Sequence, residues 1–142
     1  LKSGRMLAAL RRQIPRTHGE GFEDTVICES DNGGRTWSKP RVMVNTAEVH
    51  VFLAQLADGR VLATYSDYHL PYGVSAIVST DGGRTWDRDH PARLVLSADL
   101  YVGWPVTIQL ADQSLLTAYA ITAYIEQPPQ KTVTEVVRWK LP

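Results

Sequence analysis

The chain has 142 residues, with 15 basic and 15 acidic side chains and a formal net charge of zero, so its charge gives no reason to expect a nucleic-acid or anionic-membrane partner. No apolar run reaches the roughly 18 residues that a membrane-spanning helix needs. The single cysteine, Cys28, excludes a disulfide framework and a cysteine-based zinc cluster. The four histidines lack metal-ligand spacing, so we expect no metal and no other cofactor.

The apolar segments predict short strands, because no window of helix length repeats at positions i, i+3, i+4 and i+7. A first strand follows Gly4, and Asp58-Gly59 is a strong hairpin signal between two later strands. Counted along the chain, the pattern predicts ten strands and no helix. The strands expected after the first third of the chain are 52–56, 60–66, 74–79, 86–96, 102–110, 114–120 and 133–139.

Two sequence elements recur at a spacing near 50 residues. The segment Ser30–Trp37 returns as Ser79–Trp86, 49 residues later, and the turn around Gly4 returns around Gly59 and again around Gln113. A period of this length is typical of stacked units such as propeller blades. We therefore expect an all-β chain of about three four-stranded antiparallel blades, with copies at about 1–46, 47–100 and 101–142 in a single partial domain.

The two ends of this repeat are incomplete. The first copy starts at its second strand, and the third copy lacks its fourth strand. Three such blades cannot close a ring, and open sheet edges promote aggregation. We expect the chain to be the C-terminal part of a longer protein, completed by the missing blades of the parent chain, or to associate with a homodimer mate.

The repeated eight residues have the pattern Ser-x-Asp-x-Gly-x-Thr-Trp, which resembles the Asp box of the sialidase (neuraminidase) and BNR-repeat superfamily. The resemblance covers essentially the whole chain and implies a sialidase-like, six-bladed β-propeller of which this chain is about half. The copy at 79–86 matches each fixed position, and the copy at 30–37 has Asn32 in place of Asp. The box residues are Ser30, Asn32, Gly34, Thr36 and Trp37, and Ser79, Asp81, Gly83, Thr85 and Trp86.

We interpret the boxes as structural. Glycine supplies the positive φ of a tight turn, and an Asp or Asn side chain can accept hydrogen bonds within the turn. Trp37 and Trp86 offer large apolar surfaces for packing. The resemblance agrees, because Asp boxes in this superfamily lie away from the active site.

Candidate functional residues gather at the opposite end of the strands, where long connections can build a site. His50 and Asp67 are candidates for acid–base chemistry or polar binding, and Tyr68, Tyr101 and Trp104 for substrate contact. Arg11 and Arg12 end the first strand, at a position that resembles a substrate-binding arginine of sialidases, and at most one of them should face the axis. The alternative is ordinary solvation of the arginines and local hydrogen bonding of the others. The acids Glu20, Glu23 and Asp24 are expected to be solvated loop charges, and Tyr124 is expected on the same face.

The resemblance also implies a tyrosine nucleophile at the start of the last blade's inner strand and a glutamate at the end of the next strand. This sequence has Trp104 and Ala120 at the matching positions. Two functions follow. The first is a sialidase-like glycoside hydrolase acting on sialic acid or another acidic glycoside, with a carbohydrate ligand held by Arg11 or Arg12. The second is a non-catalytic carbohydrate- or protein-binding propeller, which Trp104 favours.

Overall fold

A computed structural model of the chain describes residues 1–14, 22–44, 47–98, 101–123 and 131–141. Within these residues it has ten strands and no helix, so no helix there is long and apolar enough to cross a membrane. The strands are β1 (Met6–Ile14), β2 (Phe22–Ser30), β3 (Arg41–Val42), β4 (Glu48–Gln55), β5 (Val61–Asp67), β6 (Tyr72–Ser79), β7 (Ala92–Ser97), β8 (Val102–Gln109), β9 (Leu115–Ala123) and β10 (Lys131–Trp139).

The strands form three antiparallel sheets in chain order, which we call blades one, two and three. Their strand orders are β1-β2-β3, β4-β5-β6-β7 and β8-β9-β10. The prediction of an all-β chain of antiparallel blades is confirmed. The copy boundaries expected near residues 46 and 100 lie outside the described residues and stay a prediction.

The same hairpin turn joins the first two strands of blades two and three. In blade two, the backbone N–H groups of Leu56 and Gly59 close the turn, and Gly59 has a φ of 93°. In blade three, Leu110 and Gln113 make the equivalent bonds, and Gln113 has a φ of 66° at the glycine position. The hairpin predicted from Asp58-Gly59 is therefore present twice, once with a non-glycine residue at the strained position.

The blades pack face to face, so that each contact buries alternate residues of neighbouring strands. Ile27 of blade one packs with Ala63, Tyr65 and Ile77 of blade two. Burying one large aliphatic side chain contributes roughly 1.5–3 kcal/mol. A second cluster joins blade two to blade three through Leu56, Leu62, Ala76 and Leu115.

The two outer faces of this stack carry exposed apolar side chains. Met6 and Leu10 lie on blade one, opposite the side that contacts blade two. Val106, Ile108 and Val136 lie on the outer face of blade three. The expectation that missing blades or a homodimer mate cover these faces stays a prediction.

The second box, Ser79–Trp86, is a turn built on one carboxylate. Asp81 Oδ1 accepts hydrogen bonds from the Ser79 hydroxyl (2.7 Å) and from the backbone N–H groups of Arg84 and Thr85 (both 2.9 Å), and its Oδ2 accepts from the Thr85 hydroxyl (2.7 Å). The Gly83 N–H donates to Ser79 Oγ (2.8 Å). Burial raises the pKa of Asp81, but the bonds from Thr85, Ser79 and Arg84 outweigh it and hold the pKa below its ordinary value.

The first box, Ser30–Trp37, repeats this pattern with an amide. Asn32 Oδ1 accepts from the Ser30 hydroxyl and from the Thr36 N–H, both at 3.0 Å, and Asn32 Nδ2 donates to Thr36 Oγ1 (2.8 Å). The fourth strand expected from Trp86 begins only at Ala92, because the second box and the residues after it form a loop.

Candidate functional site

The innermost strand of blade two carries a β-bulge near its start. Pairing of β4 with β5 shifts between Val49 and Phe52, so that His50 and Val51 lie opposite Tyr65 alone. His50 adopts a left-handed φ of 55°. This conformation is uncommon for a residue with a side chain, and such strain is concentrated at functional sites.

Blade three repeats this bulge at the equivalent place. Pairing of β8 with β9 shifts between Gly103 and Val106, which leaves Trp104 and Pro105 opposite Tyr119. Trp104 has a φ of 53°. Two different side chains, a histidine and a tryptophan, therefore project from the same strained backbone geometry in neighbouring blades.

The two bulges bring their rings together. The ring centroids of His50 and Trp104 are 5.0 Å apart, with an interplanar angle of 31°. Tyr68 meets His50 edge to face, with centroids 6.1 Å apart. Trp104 remains 48% exposed, so its indole forms an open aromatic surface beside two polar rings.

Ser66, at the end of β5, holds both bulges in place. Its Oγ accepts the backbone N–H of Trp104 (3.0 Å) and lies 3.2 Å from His50 Nδ1. A Cβ atom built on Gly103 would lie 2.2 Å from this Oγ. Any larger residue at position 103 would therefore displace the serine that connects the two rings.

Arg11 determines which nitrogen of the His50 ring carries the proton. Its Nη1 lies 3.1 Å from His50 Nε2, and because a guanidinium only donates hydrogen bonds, Nε2 accepts and the ring proton lies on Nδ1. Burial lowers the pKa of His50, the charge of Arg11 lowers it further, and Glu23 opposes them. His50 is therefore neutral at pH 7, with its Nδ1–H directed towards Ser66 Oγ.

The two predicted arginines lie on opposite faces of β1, as adjacent strand residues must. Arg11 faces blade two and forms an ion pair with Glu23. Arg12 faces outward and binds Asp24 bidentately, at 3.0 and 2.6 Å. The expectation that Glu23 and Asp24 are solvated loop charges is wrong, because both lie in β2 and pair with these arginines. Glu20 and Tyr124 lie outside the described residues.

Asp67 is buried away from this group. Its Oδ2 pairs with Arg93, and its Oδ1 accepts from the backbone N–H of His69 (3.0 Å) and lies 2.8 Å from His69 Nδ1. Since it follows Ser66 in β5, its side chain lies on the opposite face of the sheet. The expectation that Asp67 faces the cleft beside His50 is therefore wrong.

Glu48, Asp67 and His69 offer ligand atoms that all lie within 4.8 Å of one another. Sequence spacing missed this group because its members come from the start of β4, the end of β5 and the following loop. A cation bound there would have to displace Arg93 from Asp67, and we assign no metal to it.

Two tyrosines near this end of the blades, Tyr68 and Tyr119, have raised pKa values, which is the opposite of activation as a nucleophile. Burial raises the pKa of Tyr68, whose hydroxyl lies 3.4 Å from His50 Nδ1. Burial and a 2.6 Å hydrogen bond to Glu135 raise the pKa of Tyr119 to about 12. Tyr101 precedes β8, and its carbonyl accepts the N–H of Thr122 (2.8 Å).

The side chains described at this end of the blades form one group, which we call the cleft cluster. It consists of Arg11, Glu23, His50, Ser66, Tyr68 and Trp104.

No family model matches the sequence, and no curated protein matches it. Two solved structures are similar in fold. A protein of unknown function from Dyadobacter fermentans DSM 18053 has a TM-score of 0.63 and 20% identity, covering 97% of this chain and 36% of that one. A xylan β-1,4-xylosidase from Bacillus halodurans C-125 has a TM-score of 0.69 and 13% identity, covering 97% of this chain and 26% of that one.

These comparisons support an all-β, propeller-like fold. This chain spans about a third or less of either structure. The resemblance to the sialidase superfamily rests on the sequence motif, since neither similar structure is described as a sialidase.

Proposed function

We propose that the cleft cluster binds a sugar ring of a carbohydrate, as part of a glycosidase-like propeller. The observation that carries this proposal is the half-exposed indole of Trp104, held 5.0 Å from His50, whose ring contacts Arg11, Ser66 and Tyr68. Sugar rings present C–H faces that pack on aromatic surfaces, and hydroxyl groups that need polar partners. Binding sites commonly combine an aromatic surface with a few fixed polar groups in this way.

Binding fits these residues better than hydrolysis does. Most glycosidases use two carboxylates that flank the scissile bond. Among the described residues, the cleft cluster contains one carboxylate, Glu23, which is paired with Arg11. Trp104 has no nucleophilic oxygen, and the pKa of Tyr68 is raised. The described residues therefore supply a binding surface without the usual catalytic pair.

Hydrolysis of an acidic glycoside is the second candidate function. It is favoured by Arg11, whose guanidinium faces the cleft, and by the two boxes that resemble sialidase repeats. In a sialidase-like mechanism an arginine would bind the substrate carboxylate. The acid–base residue and the nucleophile would then have to come from outside the described residues.

The test is glycan binding by Trp104→Ala beside the matched control Trp37→Ala. Trp37 is 42% exposed, close to the 48% of Trp104, but lies in the first box at the other end of the blades. We expect Trp104→Ala to weaken binding about tenfold, or about 1.4 kcal/mol, and Trp37→Ala to leave it unchanged. The measurement is calorimetry or NMR titration with neutral and acidic oligosaccharides. Equal affinities in both variants and the parent would refute the proposal.

Turnover of fluorogenic glycosides separates the two candidates. Turnover that Arg11→Ala abolishes, with binding of neutral sugars retained, would support the hydrolase. Binding without turnover by the full-length protein would support the binding function.

A further inference from the structure

We infer that the cleft cluster selects a neutral sugar over an acidic one. The inference rests on the proposed function and concerns the chemical class of its ligand. It comes from one observation: each described arginine at this end of the blades is already neutralised by a carboxylate of the same chain.

Arg11 is the cation of the cleft cluster, and each of its terminal nitrogens already has one partner. Nη2 pairs with Glu23, and Nη1 contacts His50 Nε2 at 3.1 Å. A ligand carboxylate that bound this guanidinium bidentately would have to displace Glu23, and one that accepted a remaining N–H would lie beside the Glu23 carboxylate. Either arrangement brings two carboxylates together at one guanidinium, where they repel each other.

The other arginines at this end are occupied in the same manner. Arg12 binds Asp24 at 3.0 and 2.6 Å on the outer face of blade one. Arg93 pairs with Asp67, which is 3% exposed. Lys131 begins β10, two strands away from the strand that carries Trp104.

Counted together, the described charges at this end do not attract an anion. Four cations, Lys131 and the arginines at positions 11, 12 and 93, balance four carboxylates, because Glu48 lies beside Asp67. His50 is neutral at pH 7 and makes no positive contribution. The sum is zero, so no net positive charge at this end favours an acidic sugar, and an acid placed beside Glu23 would meet like-charge repulsion.

A neutral sugar needs no rearrangement. A guanidinium carries five N–H donors, so Arg11 can donate to a hydroxyl while it keeps its contacts with Glu23 and His50. Glu23 retains lone pairs that accept from a hydroxyl, and the Tyr68 hydroxyl can donate or accept. The polar groups around Trp104 therefore match uncharged hydroxyls without the loss of an internal ion pair.

The experiment compares neutral probes with acidic ones: methyl β-glucoside with methyl β-glucuronide, which differ by one carboxylate, and lactose with 3′-sialyllactose, which carries one additional acidic sugar. Affinities are measured by NMR titration at pH 7 and low salt. We expect the neutral member of each pair to bind at least fivefold more tightly. In Glu23→Gln, which frees Arg11, we expect the acidic members to gain about tenfold, the contribution of one charge-assisted hydrogen bond.

The matched control is Asp58→Asn, which frees Arg60 at the other end of blade two, where the two side chains are 2.7 Å apart. It should leave both affinities unchanged. If Glu23→Gln does not fold, the ratio of the affinities of the unmodified chain for neutral and acidic probes still tests the inference. Tighter binding of the acidic probes, lost in Arg11→Ala, would overturn the inference and leave the carbohydrate site standing. Absence of binding by either class would remove the proposed function itself.

Discussion

The second box is packed beneath blade one, whereas the first box, built from nearly the same eight residues, is exposed. Arg41 of blade one donates to the Gly83 carbonyl (2.6 Å), and Leu7 lies against Gly83. Trp86 packs on the cluster between blades one and two, while Trp37 is exposed and donates to its own turn at Gly34 (3.0 Å).

The difference separates two contributions within one motif. The hydrogen bonds inside the turn are local, because Asn32 and Asp81 make nearly the same set. The packing is not local, because it depends on which side chains of a neighbouring blade reach the turn. Substitutions at matched positions should therefore have unequal effects on the free energy of unfolding wherever packing contributes.

The tryptophans should give the largest inequality. Trp86→Ala removes a side chain packed on Ile27, Ala63 and their neighbours, and we expect a loss of about 3 kcal/mol in the free energy of unfolding. Trp37→Ala should lose less than about 1 kcal/mol. Urea denaturation measures both, and equal losses would mean that the blade contact contributes nothing.

The box glycines should give the next largest difference. Gly34 and Gly83 have φ values of 84° and 85°, so alanine at either position should destabilise by about 1 kcal/mol. At Gly83 the new Cβ would also lie 2.5 Å from Leu7 Cδ1, and overpacking should add about 1–2 kcal/mol. The double variant Gly83→Ala, Leu7→Ala should regain part of this added loss if the clash is its cause.

Asp81, the carboxylate of the second box, should make the free energy of unfolding decrease at acidic pH. The pKa of Asp81 is held below its ordinary value of 3.8, so its contribution is complete above 3.8 and is lost progressively as the pH falls from 3.8 through the lowered pKa of the folded state. We expect Asp81→Asn to lose about 0.5–1 kcal/mol at pH 7. Thermal melts between pH 6 and 3 should fall less steeply for Asp81→Asn than for the parent chain, whereas Asn32→Asp should make the decline steeper.

His50 should have the smallest effect on stability, and its effect should appear at a higher pH than that of Asp81. Its pKa is lowered from 6.5 by burial and then by Arg11, so its contribution to stability is present above pH 6.5 and is lost as the pH falls through the lowered value. NMR titration of the His50 ring should therefore give a midpoint below 6.5, and Arg11→Gln should raise it. A midpoint above 6.5 would contradict the neutral ring assigned to the cleft.

The local features of this molecule could be predicted from its sequence. The Asp58-Gly59 hairpin, the glycine turns of the boxes and the placement of Arg11, His50 and Trp104 at one end of the strands follow from turn chemistry and strand direction. Each of these rules needs only residues that are close together in the chain.

Features that depend on register between strands could not be predicted. No hairpin dipeptide such as Asp-Gly precedes Glu23 and Asp24, so the sequence did not set them opposite the end of β1. Ser66 joins the two rings only because both inner strands bulge. The bulge also turns His50 towards Ser66, while Asp67 takes the other face with Arg93.

The paired bulges have a consequence for directed evolution of this chain. His50 and Trp104 occupy a backbone conformation that glycine adopts with less strain. A library selected for heat resistance alone should therefore accumulate glycine at both positions and lose the aromatic surface as it gains robustness. A library selected for ligand capture should retain the rings and accept a lower melting temperature. The two enrichment profiles would distinguish side chains kept for recognition from those kept for folding.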